Sequence, residues 1–161
     1  MSKKQTVYIE STIPSYLVAR PSRDLLKLTR QMATQQWWSD TLPNLHPFIS
    51  NYVIEEIRLG DIDAAKKREN AIRHIEVLET NEEVISLADT FIKRLNIPKK
   101  AHTDAFHLAI AVIYKIDYLV SWNFDHIVGP PVRKTFAEIG RELNCVMPVL
   151  CTPSDFSEVE L

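Results

Sequence analysis

Short apolar runs alternate with helix-length segments along nearly the whole chain, and this alternation restricts the fold more than any other feature. Val7 to Glu10 reads as a buried strand, after which Ser11 or Thr12 can cap a helix with Pro14 in its first turn. Residues 25–40 have a helical period through Leu25, Leu28, Met32 and the Trp37-Trp38 pair. A short strand is expected at 47–49. Ser50 can cap a helix that stops at Gly60, and Asp61 can cap another through Ala64, Ala65 and Lys67. Residues 75–78 are strand-like, and 82–95 are helical with Val84, Leu87, Ala88 and Phe91 on one side. A helix over 103–115, a strand over 118–122, a helix over 132–143 and a strand over 146–151 complete the order. Strands alternating with helices predict an α/β fold, a three-layer α/β/α sandwich with a central, mostly parallel sheet. A length of 161 residues suits a single domain over 1–161.

Composition excludes several classes. Net charge is −2, so no global basic field draws in nucleic acid. A nucleic-acid partner would need a local basic patch or a metal bridge. No apolar stretch reaches the roughly 18 residues of a membrane helix. The basic start Met1-Ser2-Lys3-Lys4 leads straight into a strand without an apolar h-region, so no signal peptide is expected. Cys145 and Cys151 are too few for a disulfide framework and too far apart for a Cys-x-x-Cys motif, which makes a reducing cytoplasm the default. Gly60, Gly129 and Gly140 are the only glycines, and neither the Rossmann fingerprint nor the P-loop occurs.

Four acids stand out against this frame. Glu10 ends the run Val7-Tyr8-Ile9, Glu56 lies in the apolar arc of a short helix, Asp104 opens the most hydrophobic helix, and Asp125 follows the strand that ends at Trp122. In a parallel α/β sheet, ligands gather outside the carboxyl ends of the strands. Glu10 and Asp125 lie just past such ends, and Glu56 and Asp104 lie on helices that can start there. Asp117 precedes its strand and belongs on the opposite edge. Glu56 is preferred to Glu55 because it falls between Tyr52 and Val53 on the helical wheel. An unpartnered buried carboxylate costs several kcal/mol or protonates. A helix N-terminus returns only ~0.3–1 kcal/mol, up to about 2 when partly buried. Converging acids therefore call for a cation. A hard ion such as Mg²⁺ or Mn²⁺ prefers oxygen ligands, and held there it can activate water and neutralise a phosphodiester.

Other residues fit blander roles. Adjacent aromatics on a helix point about 100° apart, so at most one of Trp37 and Trp38 belongs to the core, and the other suits an interface. Trp122 lies beside the proposed site and suits either core packing or a substrate contact. The five histidines, His46, His74, His102, His107 and His126, show no zinc spacing. Arg20, Arg23, Arg58, Lys99 and Lys100 near the mouth suit either a solvated rim or an electrostatic hold on a nucleic-acid backbone. No nucleophile elbow occurs, and nothing around Asp104 or Asp125 suggests a phospho-aspartate hydrolase.

Four segments, in order, resemble the PIN-domain nucleases and in particular the VapC-like toxins of prokaryotic toxin–antitoxin pairs. They are Val7-Tyr8-Ile9-Glu10-Ser11-Thr12, then Val53-Ile54-Glu55-Glu56-Ile57-Arg58-Leu59-Gly60, then the helix opening Asp104-Ala105-Phe106-His107-Leu108, and finally Leu119-Val120-Ser121-Trp122-Asn123-Phe124-Asp125. The resemblance implies a PIN-like sandwich and Mg²⁺- or Mn²⁺-dependent ribonuclease activity. It also implies a homodimer and a small antitoxin partner. Glu10, Glu56, Asp104 and Asp125 would be the catalytic metal ligands, with Asn123 assisting through its carbonyl oxygen. Ser11, Ser121, Arg58 and Lys100 are the expected substrate contacts. Two positions depart from the family pattern. Glu10 stands where Asp is usual, and Asn123 replaces the first acid of the fourth segment, removing one charge. These departures motivate the alternative of a catalytically inactive PIN-like module that binds RNA or protein.

Overall fold

Five short apolar runs pair into one all-parallel sheet in a computed structural model of the chain, which describes residues 3–158. Met1 and Ser2, part of the basic start read above, lie outside them. The strands are β1 (Thr6–Ile9), β2 (His46–Ser50), β3 (Glu76–Leu78), β4 (Tyr118–Val120) and β5 (Val149–Cys151), in the order β3-β2-β1-β4-β5. Val7, Tyr8 and Ile9 are all inaccessible to solvent, because β1 is the central strand and helices cover both faces. The helices among the described residues are α1 (Thr12–Val18), α2 (Leu25–Gln36), α3 (Asn51–Ile57), α4 (Ile62–Ile72), α5 (Glu82–Arg94), α6 (His102–Ile113) and α7 (Pro130–Leu143). The layers are those of the expected α/β/α sandwich, and the sheet is fully rather than mostly parallel.

Local chemistry sets the helix ends. Asp24, Asp61 and Asn81 each accept a hydrogen bond from a backbone N–H in the first turn of α2, α4 and α5. α7 begins with Pro130 and Pro131, two residues earlier than the apolar period indicates, because proline suits a first turn whose N–H groups have no partner. Packing then joins the layers. Phe91 of α5 meets Phe136 of α7 with ring centroids 5.3 Å apart, and Arg94 pairs with Glu142 alongside. Among the described residues no helix is long and apolar enough to cross a membrane.

The segment at 25–40 differs most from its expected form. The α-helix ends at Gln36 and continues as a π-helical turn, Trp37–Thr41. Leu25 is 78% exposed and Met32 is 61% exposed, whereas Gln31 and Thr34 are buried. The buried face is polar because it serves local hydrogen bonds. Gln31 accepts from Ser22 N at 2.9 Å and donates to Arg20 O, and Thr34 accepts from Trp122 Nε1 at 2.8 Å. Trp37 belongs to the core, against Phe156, and Trp38 is only partly covered. The strands expected at 118–122 and 146–151 are shorter than their apolar runs, since each pairs over three residues only.

Candidate metal centre

β1 and β4 lie side by side where the strand order reverses, the point at which an open parallel sheet leaves a crevice beyond its carboxyl ends. Register decides what meets there. Ile9 lies opposite Val120, so Glu10 and Ser121 are the first residues past the end of the ladder. Ser121 Oγ donates to Glu10 Oε1 at 2.7 Å. The same oxygen accepts from Thr12 N at 3.0 Å and Thr12 Oγ1 at 2.5 Å, which seats Glu10 on the first turn of α1. Thr12 Oγ1 in turn accepts from Trp122 N at 2.9 Å and ties the loops after β1 and β4 together. All three bonds to Glu10 fall on Oε1.

α6 supplies the next two groups. Asp104 and His107 are three residues apart and share a helix face. Asp104 is 8% exposed and His107 is fully buried. Ligand atoms of Glu10, Asp104 and His107 all lie within 4.8 Å of one another. Glu56 reaches this group from α3. Its Oε1 lies 2.5 Å from His107 Nε2 and accepts from Ser11 Oγ at 2.6 Å. Glu55 is exposed on the same helix, in keeping with the periodicity argument. On its other side, His107 Nδ1 meets Tyr8 Oη at 2.6 Å, and Tyr8 Oη meets Ser50 Oγ at 2.7 Å. A continuous chain therefore runs from Ser50 through the buried Tyr8 and His107 and the half-buried Glu56 to Ser11. Asp117 sits at the opposite edge, where its Oδ2 accepts from Thr6 N at 2.8 Å.

The remaining expected residues divide. Asn123 is partly buried and lowers the Asp104 carboxyl, while its Oδ1 accepts from His126 N at 3.0 Å. Asp125 is exposed in the turn that follows and lies outside the group of three. The cause is local: Asn123 O accepts from both Ile127 N and Val128 N, and the tight turn so formed leaves Asp125 at the surface. Ser11 and Ser121 are buried and give their hydroxyls to Glu56 and Glu10, so they position acids. Arg58 pairs with Glu69 at 2.8 Å. Lys100 is exposed on the 3-10 turn before α6, and Lys99, Arg20 and Arg23 are exposed too. Trp122 is buried, with its indole N–H on Thr34.

His107 is the residue that zinc-spacing logic passed over. Its spacing from His102 carries no signal, but its i, i+3 relation to Asp104 does. Tyr8 was legible as well, because a tyrosine inside a central strand must find a partner for its hydroxyl.

Burial sets the electrostatics. It pushes the carboxyls of Glu10 and Asp104 above their ordinary range, and the opposing His107 charge and hydrogen bonds from Thr12, Ser121 and Asn123 do not cancel it. Burial also raises Glu56, but there the His107 and Ser11 bonds win and the carboxyl is held below its usual value. Burial alone would lower His107. The Glu56 bond and the charges of Glu56, Glu10 and Asp104 overcome it, and the imidazole stays protonated to higher pH than usual. His107 is thus held toward its charged form, facing three acidic groups.

These directions predict how the metal-free protein responds to pH. Raised carboxyls at Glu10 and Asp104 favour the fold while protonated, and that contribution is lost as pH rises through their folded values. The raised His107 contributes stability below the unfolded value of 6.5, lost as pH rises through its own folded value. Lowered Glu56 contributes above 4.5 and loses its share only in acid. The melting temperature is expected to fall as pH rises past the ordinary histidine value of 6.5, where the raised carboxyls and the raised imidazole lose their protons. A flat or rising profile by calorimetry in chelator would contradict the assigned environments.

In comparisons with known proteins, no family model matches the chain and no curated sequence does. Fold and site together define an all-parallel α/β protein with a buried acidic cluster at the switch point of its sheet.

Proposed function

We propose that the chain is a metal-dependent endoribonuclease of the PIN type, similar to VapC toxins, acting on RNA phosphodiesters in the cytoplasm. The observation that carries this reading is the convergence of Glu10, Asp104 and His107 within 4.8 Å, with Glu56 one hydrogen bond away. The donor set fits a divalent ion. The bonds on Glu10 and Glu56 all fall on Oε1, which leaves Oε2 of each free of them. Carboxylate oxygens suit Mg²⁺ or Mn²⁺. Glu10 and Asp104 would hold the ion, with Glu56 beside them. Both nitrogens of His107 are already hydrogen-bonded, which makes it the group that orients Glu56. A bound ion would supply activation of water and neutralisation of charge on the phosphate. The chain's own part is to fix the carboxylates from three separate elements, with Ser11, Thr12 and Ser121 as their struts. A homodimer and a small antitoxin partner belong to the same proposal.

The alternative of an inactive binding module rests on a specific feature. The His107 imidazole is held toward its charged form beside the acids, and Asp125 stands outside the group. Titration of Mn²⁺ into the chelator-treated protein separates the two. Saturable binding with a rise in melting temperature that grows with pH is expected, since protons compete with the ion for Glu10 and Asp104. No saturation and no thermal shift would favour the inactive module.

A further inference from the structure

The loop after β4 is held by its backbone, yet it leaves an aromatic ring exposed. Asn123 O accepts from Ile127 N at 3.1 Å and Val128 N at 2.9 Å, and Asn123 N donates to Ser121 Oγ at 2.9 Å. Gly129 closes the loop so tightly that a Cβ there would sit 2.1 Å from the carbonyl oxygen of Phe124. Phe124 is fixed by this frame and yet remains 40% exposed. Arg30 of α2 lays its guanidinium 4.9 Å from the centroid of the Phe124 ring and 5.5 Å from that of Trp122. Among the described residues Arg30 joins no ion pair, so its fork of N–H donors is not taken up by a carboxylate. The group adjoins the acidic cluster on two sides. Asn123, next to Phe124, lowers the Asp104 carboxyl, and Trp122 N donates to Thr12 Oγ1, which holds Glu10.

A flat cation stacked beside an open ring suits a ligand with a π-face and an anion close together. A nucleobase stacks on phenylalanine whatever its identity, and a guanidinium takes a phosphate through two parallel bonds. One nucleotide meets both demands only when its base is unpaired, because a duplex keeps its base faces stacked inside. We propose that Phe124 and Arg30 form a subsite for an unpaired base and its adjoining phosphate, and that this subsite directs single-stranded RNA to the acidic cluster. The proposal rests on the nuclease reading and adds to it two specificity residues.

The test uses Asp104→Asn protein in Mn²⁺, so that bound RNA is not consumed, and a short single-stranded RNA carrying 2-aminopurine, whose fluorescence is quenched by stacking. Quenching on binding is expected, together with weaker binding of the same strand in a duplex. Phe124→Leu keeps apolar bulk but removes the π-face, and it should weaken single-strand binding by about 5- to 150-fold and relieve the quenching. Arg30→Lys keeps the charge but loses the planar fork, and it should weaken binding in the same direction. Phe124→Leu binding within about twofold of the parent, or a duplex bound as tightly as the single strand, would overturn the subsite. Wild-type RNA cleavage that survives Phe124→Leu unchanged would overturn it too, and would leave the nuclease standing. Failure of the wild type to cleave any RNA, with no RNA bound by the Asp104→Asn protein, would remove both.

Discussion

Asp104→Asn is expected to remove RNA cleavage while making the metal-free protein more stable. The two effects have one cause. Asp104 is 8% exposed on a helix whose following residues are apolar, and burial drives its carboxyl above the ordinary range. Asparagine keeps the shape and can still pair with Asn123, but it has no charge to desolvate. Near pH 8 the metal-free variant should therefore melt above the wild type. Its affinity for Mn²⁺ and its cleavage rate should fall together. Loss of even an outer partner of a metal site costs about 10- to 100-fold, so loss of a ligand carboxylate should cost at least ~100-fold in kcat/KM. Cleavage at the native rate would show that the site is assigned to the wrong residues. A variant that is both inactive and less stable would show that Asp104 is chiefly structural. Active sites commonly trade stability for function in this way.

His107→Ala should carry the largest stability loss of any single change at the site. The imidazole is fully buried and bridges Tyr8 Oη and Glu56 Oε1. Its removal opens a cavity, leaves the tyrosine hydroxyl short of a partner, and strands a carboxylate that relied on it. Emptying a fully buried site of this size costs about 3–5 kcal/mol, and the half-buried Glu56 loses a partner besides. That is a large share of the 5–15 kcal/mol typical of a folded domain, and for a chain of this size it corresponds to a fall in melting temperature of roughly 6–20 °C. Denaturant unfolding at neutral pH checks it. A loss below about 1 kcal/mol would mean that the bridge contributes little, and His107 would then be better read as a direct metal ligand. A double-mutant cycle with Glu56→Gln isolates the pairwise part.

Much of the architecture was legible because its signals are local. A run such as Val7-Tyr8-Ile9 between turn residues is a strand in almost any context, and Asp61 ahead of a helical period marks a start. Glu56 was separable from Glu55 by helical period alone, and the exposed Glu55 agrees. Local signals misled where one face serves hydrogen bonds instead of packing. Leu25 and Met32 are exposed, while Gln31 and Thr34 take the buried positions.

The chain order by itself determined that acids stand at the ends of β1 and at the start of α6, and that Asp117 stands at the other edge. Tertiary structure alone decided which groups touch. The pairing of Ile9 with Val120 brought Ser121 onto Glu10, and the approach of α3 to α6 set Glu56 against His107. The turn closed on Asn123 left Asp125 at the surface. Helix and strand periods are properties of neighbouring residues, whereas contact between Glu56 and His107, 51 residues apart, depends on how whole elements pack. Propensity can place a carboxylate on the correct edge of a sheet. Only the packed layers can bring its oxygens within bonding distance of another group.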